Sequence, residues 1–259
     1  MSLVSLASAL RYNIRYSYAA FTSCRHNSTQ DTADQQQTNE KYEADIKSKI
    51  LEASLGFVSS KGWSKDAIAA GAQEIGYPGI THGMFARGGG DLVHYFQYTS
   101  NQKLVKYMKE KIENVAKHNS PGEFVEDAVK HRLKMIIPFL SRWPQAIAIM
   151  ALPPNVQNAL ASQLTMVDDI CYYAGDRSVD FSWYARRLAL AAIYKATELY
   201  MIQDKSADFV ESWNFLNNRL TEAIQLQNLL LPTDGDKRSA DALSSAFITA
   251  RNILGMNNR

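Results

Sequence analysis

The stretch SKDAIAAGAQEIGYPGITHGMFARGGG, residues 64–90, decides the fold. Ser64 is an N-cap, Asp66 sits in the first turn, where the helix dipole favours a carboxylate, and Ile68, Ala72 and Ile75 recur on one face. Gly76-Tyr77-Pro78-Gly79 ends that helix, because glycine accepts the closing left-handed conformation and proline cannot continue the ladder. Ile80 to Arg87 is long enough for about two further turns before Gly88-Gly89-Gly90 breaks it. Upstream, Glu43 to Ser60 carries Ile46, Ile50, Ala53 and Phe57 at helical spacing. The result is three helices, the last two joined by a glycine-containing turn, the arrangement of a helix-turn-helix.

Downstream the pattern stays helical. Helices are predicted over 91–115 and 123–140, the latter kinked by Pro138, then over 155–173, 180–203, 207–229 and 240–254. Trp143-Pro144 and Pro153-Pro154 fence a short apolar piece, QAIAIMAL. No segment reads as a strand, a repeat or a low-complexity tract, and no apolar run approaches the roughly 20 residues that cross a bilayer. The class is all-α.

The helix-turn-helix pattern raises the question of DNA, and the charges answer it. A recognition helix presents Arg, Lys, Asn or Gln to base edges, and several cations must meet phosphates. Residues 50–97 hold three cations, Lys61, Lys65 and Arg87, against four anions, Glu52, Asp66, Glu74 and Asp91. The whole chain of 259 residues carries a net charge of only +2. Without a basic footprint the expectation is no nucleic-acid partner.

Catalytic signatures are missing too. The histidines, His26, His82, His94, His118 and His131, include no pair at the helical metal-site spacing, and no Glu-x-x-His or Gly-x-Ser-x-Gly occurs. Asp168 and Asp169 are adjacent, which on a helix turns them about 100° apart, too far to share one proton or metal. No cofactor, no metal and no enzymatic activity are expected.

The ends of the chain differ from its middle. Met1 to Gln30 contains Arg11, Arg15 and Arg25, no acid, and abundant Ser and Ala, the composition of a mitochondrial presequence, which is placed at 1–27. Residues 28–41 read as a solvated polar linker. Cys24 would leave with the presequence, so Cys171 would remain as a lone thiol, consistent with a reducing compartment and with buried packing. After a Pro232 to Asp236 linker, Leu243, Ala246, Phe247, Ala250, Ile253 and Leu254 form one apolar stripe. Such a helix docks on its own domain, pairs with a second subunit as a homodimer, or lies in a membrane interface.

Two resemblances rest on quoted motifs. ILEASLGFVSSKGW, SKDAIAAGAQEIGYPG and ITHGMF together resemble the N-terminal domain of TetR-type regulators. Met84 departs from the aromatic residue of that pattern, and a glycine run stands where its phosphate-contacting lysine region lies. Residues 42–257 also resemble a mitochondrial coenzyme Q (ubiquinone) biosynthesis accessory family. That likeness is carried by ILEASLGFVSSKGW, RLKMIIPFLSRWPQAIAIMALPPN, MVDDICYYAGDRSVDFSWYARRLALAAIY and TELYMIQDKSADF.

These resemblances imply a TetR-like fold: a helix-turn-helix-like domain at 42–90, a helical lipid-binding and partner-binding domain at 91–231, and an amphipathic C-terminal helix within 232–259. They imply a noncatalytic protein, peripheral on the matrix side of the mitochondrial inner membrane, that binds a lipid or isoprenoid quinone intermediate. It would present that intermediate to the demethoxyubiquinone hydroxylase and the wider ubiquinone biosynthesis complex. A TetR-type transcription regulator is the alternative. The apolar segment MIIPFLSRWPQAIAIMALPP supplies the expected lipid wall, Ile136, Phe139, Trp143, Ile147 and Met150, although periodicity does not separate a cavity wall from a filled core. Around Gly175-Asp176, aromatic residues and arginines crowd together, the types that dominate interface hot spots; an aromatic core with a charged rim would read the same. Carried over by motif, Asp168, Ile170, Asp180, Trp183, Tyr184 and Arg187 are the expected partner contacts, with Ile170 replacing a methionine. Leu243, Phe247, Ala250, Ile253 and Leu254 are the expected membrane contacts.

Overall fold

A computed structural model describes residues 30–114, 120–175 and 181–230. Among them every regular element is helical: α1 Gln30–Leu55, α2 Val58–Lys61, α3 Lys65–Glu74, α4 Gly89–Asn114, α5 Pro121–Lys134, α6 Trp143–Ala151, α7 Pro153–Tyr173, α8 Phe181–Gln203 and α9 Val210–Leu230. 3₁₀ turns lie at Gly79–Met84, Ile137–Arg142 and Ala207–Phe209. The segment 1–27 expected as a presequence and the C-terminal segment 232–259, with the expected membrane contacts, lie outside the described residues. The described chain forms two compact units, 30–102 with 138–165, and 103–137 with 166–230.

In the first unit α3 forms as its sequence dictates. The Ser64 hydroxyl accepts the Ala67 amide at 3.3 Å, and Ile68 and Ala72 are fully buried. Gly76, at φ +85°, closes the helix: its amide reaches the Gln73 carbonyl at 3.1 Å and the Tyr77 amide reaches that of Ala72 at 2.8 Å. This is the Schellman pattern that a left-handed residue makes possible. Ile75 departs from the expected stripe and is exposed. The following element also departs. Instead of two α-turns over 80–87, a 3₁₀ turn spans Gly79–Met84, preceded by Pro78 and diluted by Gly79 and Gly83, residues that disfavour a regular helix.

Two boundaries differ from the sequence reading. α1 begins at Gln30, so most of the stretch expected as a solvated linker is helical. It contains no Gly or Pro between 30 and 55, and ion pairs Lys47–Glu43 and Lys49–Asp45, at 2.6 and 2.7 Å, support the exposed helix. The segment 42–90 also does not close its own core: Leu92, Val93 and Phe96, one to two turns into α4, complete it. Gly89 shows why the glycine run is there. A Cβ on it would sit 2.2 Å from the Trp63 carbonyl oxygen, so only glycine lets α4 start this close to the loop before α3.

The centre of the first unit is aromatic. Trp63, Phe96, Phe139 and Trp143 meet with ring centroids 5.1–5.7 Å apart, mostly edge to face. Gln145 holds Trp63 from behind: its Oε1 accepts the Trp63 amide at 3.0 Å.

In the second unit Leu104 and Met108 from α4, Val129, Leu133 and Ile136, Val167 and Ile170 from α7, Met201 from α8 and Leu216 from α9 make the core. α5 is capped by Ser120, with Pro121 in its first turn, and ends in His131, Arg132 and Lys134, basic side chains suited to a helix C-terminus. Pro138, expected to kink a longer helix, lies instead in the 3₁₀ turn Ile137–Arg142. Between α8 and α9 the Asp204 carboxylate accepts the Ser206 amide at 2.7 Å, the Ser212 amide at 2.9 Å and the Ser212 hydroxyl at 2.5 Å. Burial alone would raise this carboxyl, but the donors from Ser212 and Ser206 outweigh it and hold its pKa at about 2.

Candidate functional site

The expected lipid wall divides between the units. Phe139, Trp143, Ile147 and Met150 belong to the first and Ile136 to the second. Ile136, Trp143 and Met150 are buried, Phe139 and Ile147 half-buried. Trp143 and Phe139 stand within the aromatic cluster, in contact with Trp63 and Phe96, so their faces are filled by other rings. Met150 borders a small recess of about 10 Å³ with Arg87, His94, Gln97 and Asn155, the size of one water molecule. The Gln97 Nε2 donates to the Met150 sulfur there at 2.7 Å. A lipid chain needs a pocket of several hundred Å³, so it would enter this region only by parting these side chains.

His94 shares that wall. Burial, then the Arg87 guanidinium, lowers its pKa from the ordinary 6.5, with Asp91 opposing. The folded state therefore holds His94 neutral where the unfolded chain would protonate it. Stability is complete above pH 6.5 and declines as the pH falls through the window between the unfolded and folded values. His131, lowered first by burial and opposed by Asp127, adds a loss of the same sign. The melting temperature is expected to fall between pH 7.5 and pH 5.5, and His94→Gln to flatten part of that slope. An identical slope in the variant would contradict the assignment.

Arg87 and Asp91 also occupy the N-terminus of α4. Asp91 accepts the Arg87 amide at 2.9 Å and its Nε at 2.8 Å, so the dipole end is already met by an internal carboxylate. Ile80 is 81% exposed and Met84 is exposed beside it, apolar side chains at positions where a DNA reader carries hydrogen-bonding groups. Glu52 and Glu74 line the open groove between α1 and α3.

The α7–α8 hairpin carries the expected partner contacts. Arg187 Nε donates to Asp168 Oδ1 at 2.8 Å, joining the two helices across the turn. The Arg187 side chain is only 8% exposed and that of Asp168 31%, so the arginine is a buried anchor and the carboxylate its half-open partner. Ile170, which replaces the expected methionine, is fully buried in the second unit. Tyr172 is exposed and packs edge to face on Tyr173 at 5.3 Å. Trp183 and Tyr184 lie in the first turns of α8; their side chains, and Asp180 altogether, are outside the described residues. Cys171 is buried, as the lone-thiol reading expected.

One polar cluster in the second unit escaped the sequence reading. Tyr107 donates to Asp127 Oδ2 at 2.5 Å, Lys111 pairs with the same carboxylate, and His131 stacks on the Tyr107 ring at 3.8 Å. Burial, reinforced by Asp127, raises the Tyr107 hydroxyl to about 12. Burial would raise Asp127, but Lys111 and Tyr107 outweigh it and hold the carboxyl low. The i, i+4 spacings of Tyr107 to Lys111 and of Asp127 to His131 were the available signal; the contact between their helices was not. Among the described residues no group of three His, Cys, Asp or Glu could hold a metal ion, and no helix is long and apolar enough to cross a membrane.

Comparison with known proteins places this geometry. The family model for COQ9 matches residues 156–227, and that for the Ubiquinone biosynthesis protein COQ9, N-terminal domain, matches residues 43–73. The mitochondrial ubiquinone biosynthesis protein COQ9 of Drosophila melanogaster is 48% identical over 213 residues, 82% of this chain and 65% of that protein. The human protein of the same name is 37% identical over 234 residues, 88% of this chain and 74% of that protein. In fold, the chain is similar to a TetR transcriptional regulator from Nitrosomonas europaea, with a TM-score of 0.54 and 14% identity over 70% of this chain and 99% of that one. The all-α, TetR-like class is thus established, and with relatives this similar spanning helix-turn-helix segment and hairpin alike, the chain belongs to the COQ9 family of ubiquinone biosynthesis proteins.

Proposed function

We propose that this chain is a noncatalytic, lipid-binding accessory protein of ubiquinone biosynthesis in the mitochondrion. It binds an isoprenoid quinone intermediate and presents it to the demethoxyubiquinone hydroxylase, as a peripheral protein on the matrix side of the inner membrane. The observation that carries this reading is the family membership, with the family match running from residue 156 of α7 through α8. Asp168 and Arg187 fix that hairpin, and Trp183, Tyr184 and Asp180 stand at the start of α8 or just before it as the proposed partner contacts. Phe139, Ile147 and Met150, the part of the proposed wall that lies in the first unit beside Trp143, would move to admit an isoprenoid chain, while Leu243, Phe247, Ala250, Ile253 and Leu254 would bring the chain to the membrane.

Mass spectrometry of lipids that co-purify with the chain tests this. The expected result is a stoichiometric isoprenoid lipid with a quinone or phenol head. Protein free of lipid that also fails to take up a quinone from vesicles would contradict the reading. A role as a transcription regulator is disfavoured by the exposed Ile80 and Met84 and by the carboxylates lining the α1–α3 groove.

A further inference from the structure

The helix-turn-helix segment lacks the charges of a DNA reader, and its open face offers a different chemistry. The groove between α1 and α3 has a volume of about 580 Å³. It is lined by Ala53, Ile75 and Tyr77, and by two carboxylates, Glu52 from α1 and Glu74 from α3. Both glutamates are exposed, and among the described residues neither carboxylate has an ion-pair or hydrogen-bond partner. Lys49 also lines the groove, but Asp45 engages it at 2.7 Å. Ile75 continues the stripe of Ile68 and Ala72, yet it is exposed where they are fully buried. The turn that follows adds Ile80 and Met84, both exposed, and from Asp66 to Ala86 there is no Lys or Arg.

Unpaired carboxylates beside exposed apolar side chains restrict what fits. Glu52 and Glu74 repel the phosphates of a nucleic acid and of an anionic lipid, which bind to Lys and Arg. A second copy of the same groove would set glutamate against glutamate and desolvate both unpaired. A segment that carries Lys or Arg beside a row of apolar residues meets both demands, and an amphipathic helix laid in a groove presents them at helical spacing. Its apolar face supplies most of the affinity, because exposed ion pairs contribute little each. The charges supply orientation and a faster encounter.

We propose that the α1–α3 groove docks a cationic amphipathic helix of a partner protein. Lys or Arg side chains of that helix pair with Glu52 and Glu74, and its apolar face covers Ile75 and Tyr77. The segment folded like a DNA reader then serves as a protein-docking face. This proposal does not rest on the lipid reading or on the contacts of the α7–α8 hairpin.

Fluorescence anisotropy of a labelled helical leucine–lysine peptide with the full chain tests the docking. Leucine–glutamate and serine–lysine peptides serve as controls, and the variants are Glu52→Lys/Glu74→Lys and Ile75→Ser. The leucine–lysine peptide is expected to bind, more weakly as salt rises, and neither control to match it. Each variant weakens binding about tenfold or more, while circular dichroism stays unchanged because the three side chains are exposed. Should the lysine variant fail to fold, Glu52→Gln/Glu74→Gln keeps the shape of both side chains and must show the same loss. No binding of the leucine–lysine peptide, a folded variant that binds it like the wild type, or equal binding of either control overturns the proposal. So does retention on phosphatidylglycerol vesicles, or a dimer, that the same variants abolish, since the occupant would then be a lipid surface or a second copy.

Discussion

Trp143→Ala is expected to destabilise the protein by about 3–5 kcal/mol, lowering the melting temperature by on the order of 10 °C. Trp143 is fully buried, and its ring lies 5.7 Å from that of Trp63 and 5.4 Å from that of Phe96, in edge-to-face contacts. Deleting the indole removes its transfer energy and leaves a cavity that neighbours cannot refill, because Trp63 is fixed through Gln145 and α4 is held close by Gly89. Such a loss is a large part of the 5–15 kcal/mol that holds a domain together. Trp143→Phe, which keeps an aromatic ring, should recover much of it. Thermal denaturation of the three proteins also separates the two roles open to this residue. A wall of a ready-made cavity would tolerate alanine at a cost under about 1 kcal/mol, and that outcome would contradict the packed cluster.

The sequence reads well where local physics decides. The Ser64 cap, the Gly76 closure and the helices expected over 155–173, 180–203 and 207–229 follow from side-chain chemistry a few residues away, and they form close to where spacing puts them. Burial of Cys171 follows in the same way, from nearby Asp168 and Asp169, which disfavour a reactive thiolate. Where a residue answers to something distant, the reading fails. Gly89 looks like a helix breaker and is instead the point where a helix begins against the Trp63 carbonyl. Periodicity turns Trp143 inward but carries no information on how much room is left around it. Arg187 and Asp168, 19 residues apart, become a pair only because the chain reverses between them.

The proposed partner surface makes the second large prediction, at Trp183. It lies in the first turn of α8, one turn before Arg187, whose pair with Asp168 fixes the helix in place. In the proposed role of an interface hot spot it would contribute binding and little folding. Trp183→Ala should keep the melting temperature within the ~0.5 kcal/mol usual for surface changes, yet remove the hydroxylase interaction, since hot-spot truncations cost upwards of about 2 kcal/mol. Arg187→Ala differs: it strips a buried anchor from the hairpin, so binding and stability should fall together.

The most direct test is the affinity of the purified chain for the demethoxyubiquinone hydroxylase, measured with the wild-type and Trp183→Ala proteins side by side and paired with quinone profiles of cells carrying each. The account predicts a wild-type complex, no complex with a normally folded Trp183→Ala chain, and accumulation of the demethoxylated intermediate in cells with the variant. A stable Trp183→Ala chain that binds the hydroxylase as tightly as the wild type and sustains normal quinone levels would contradict it.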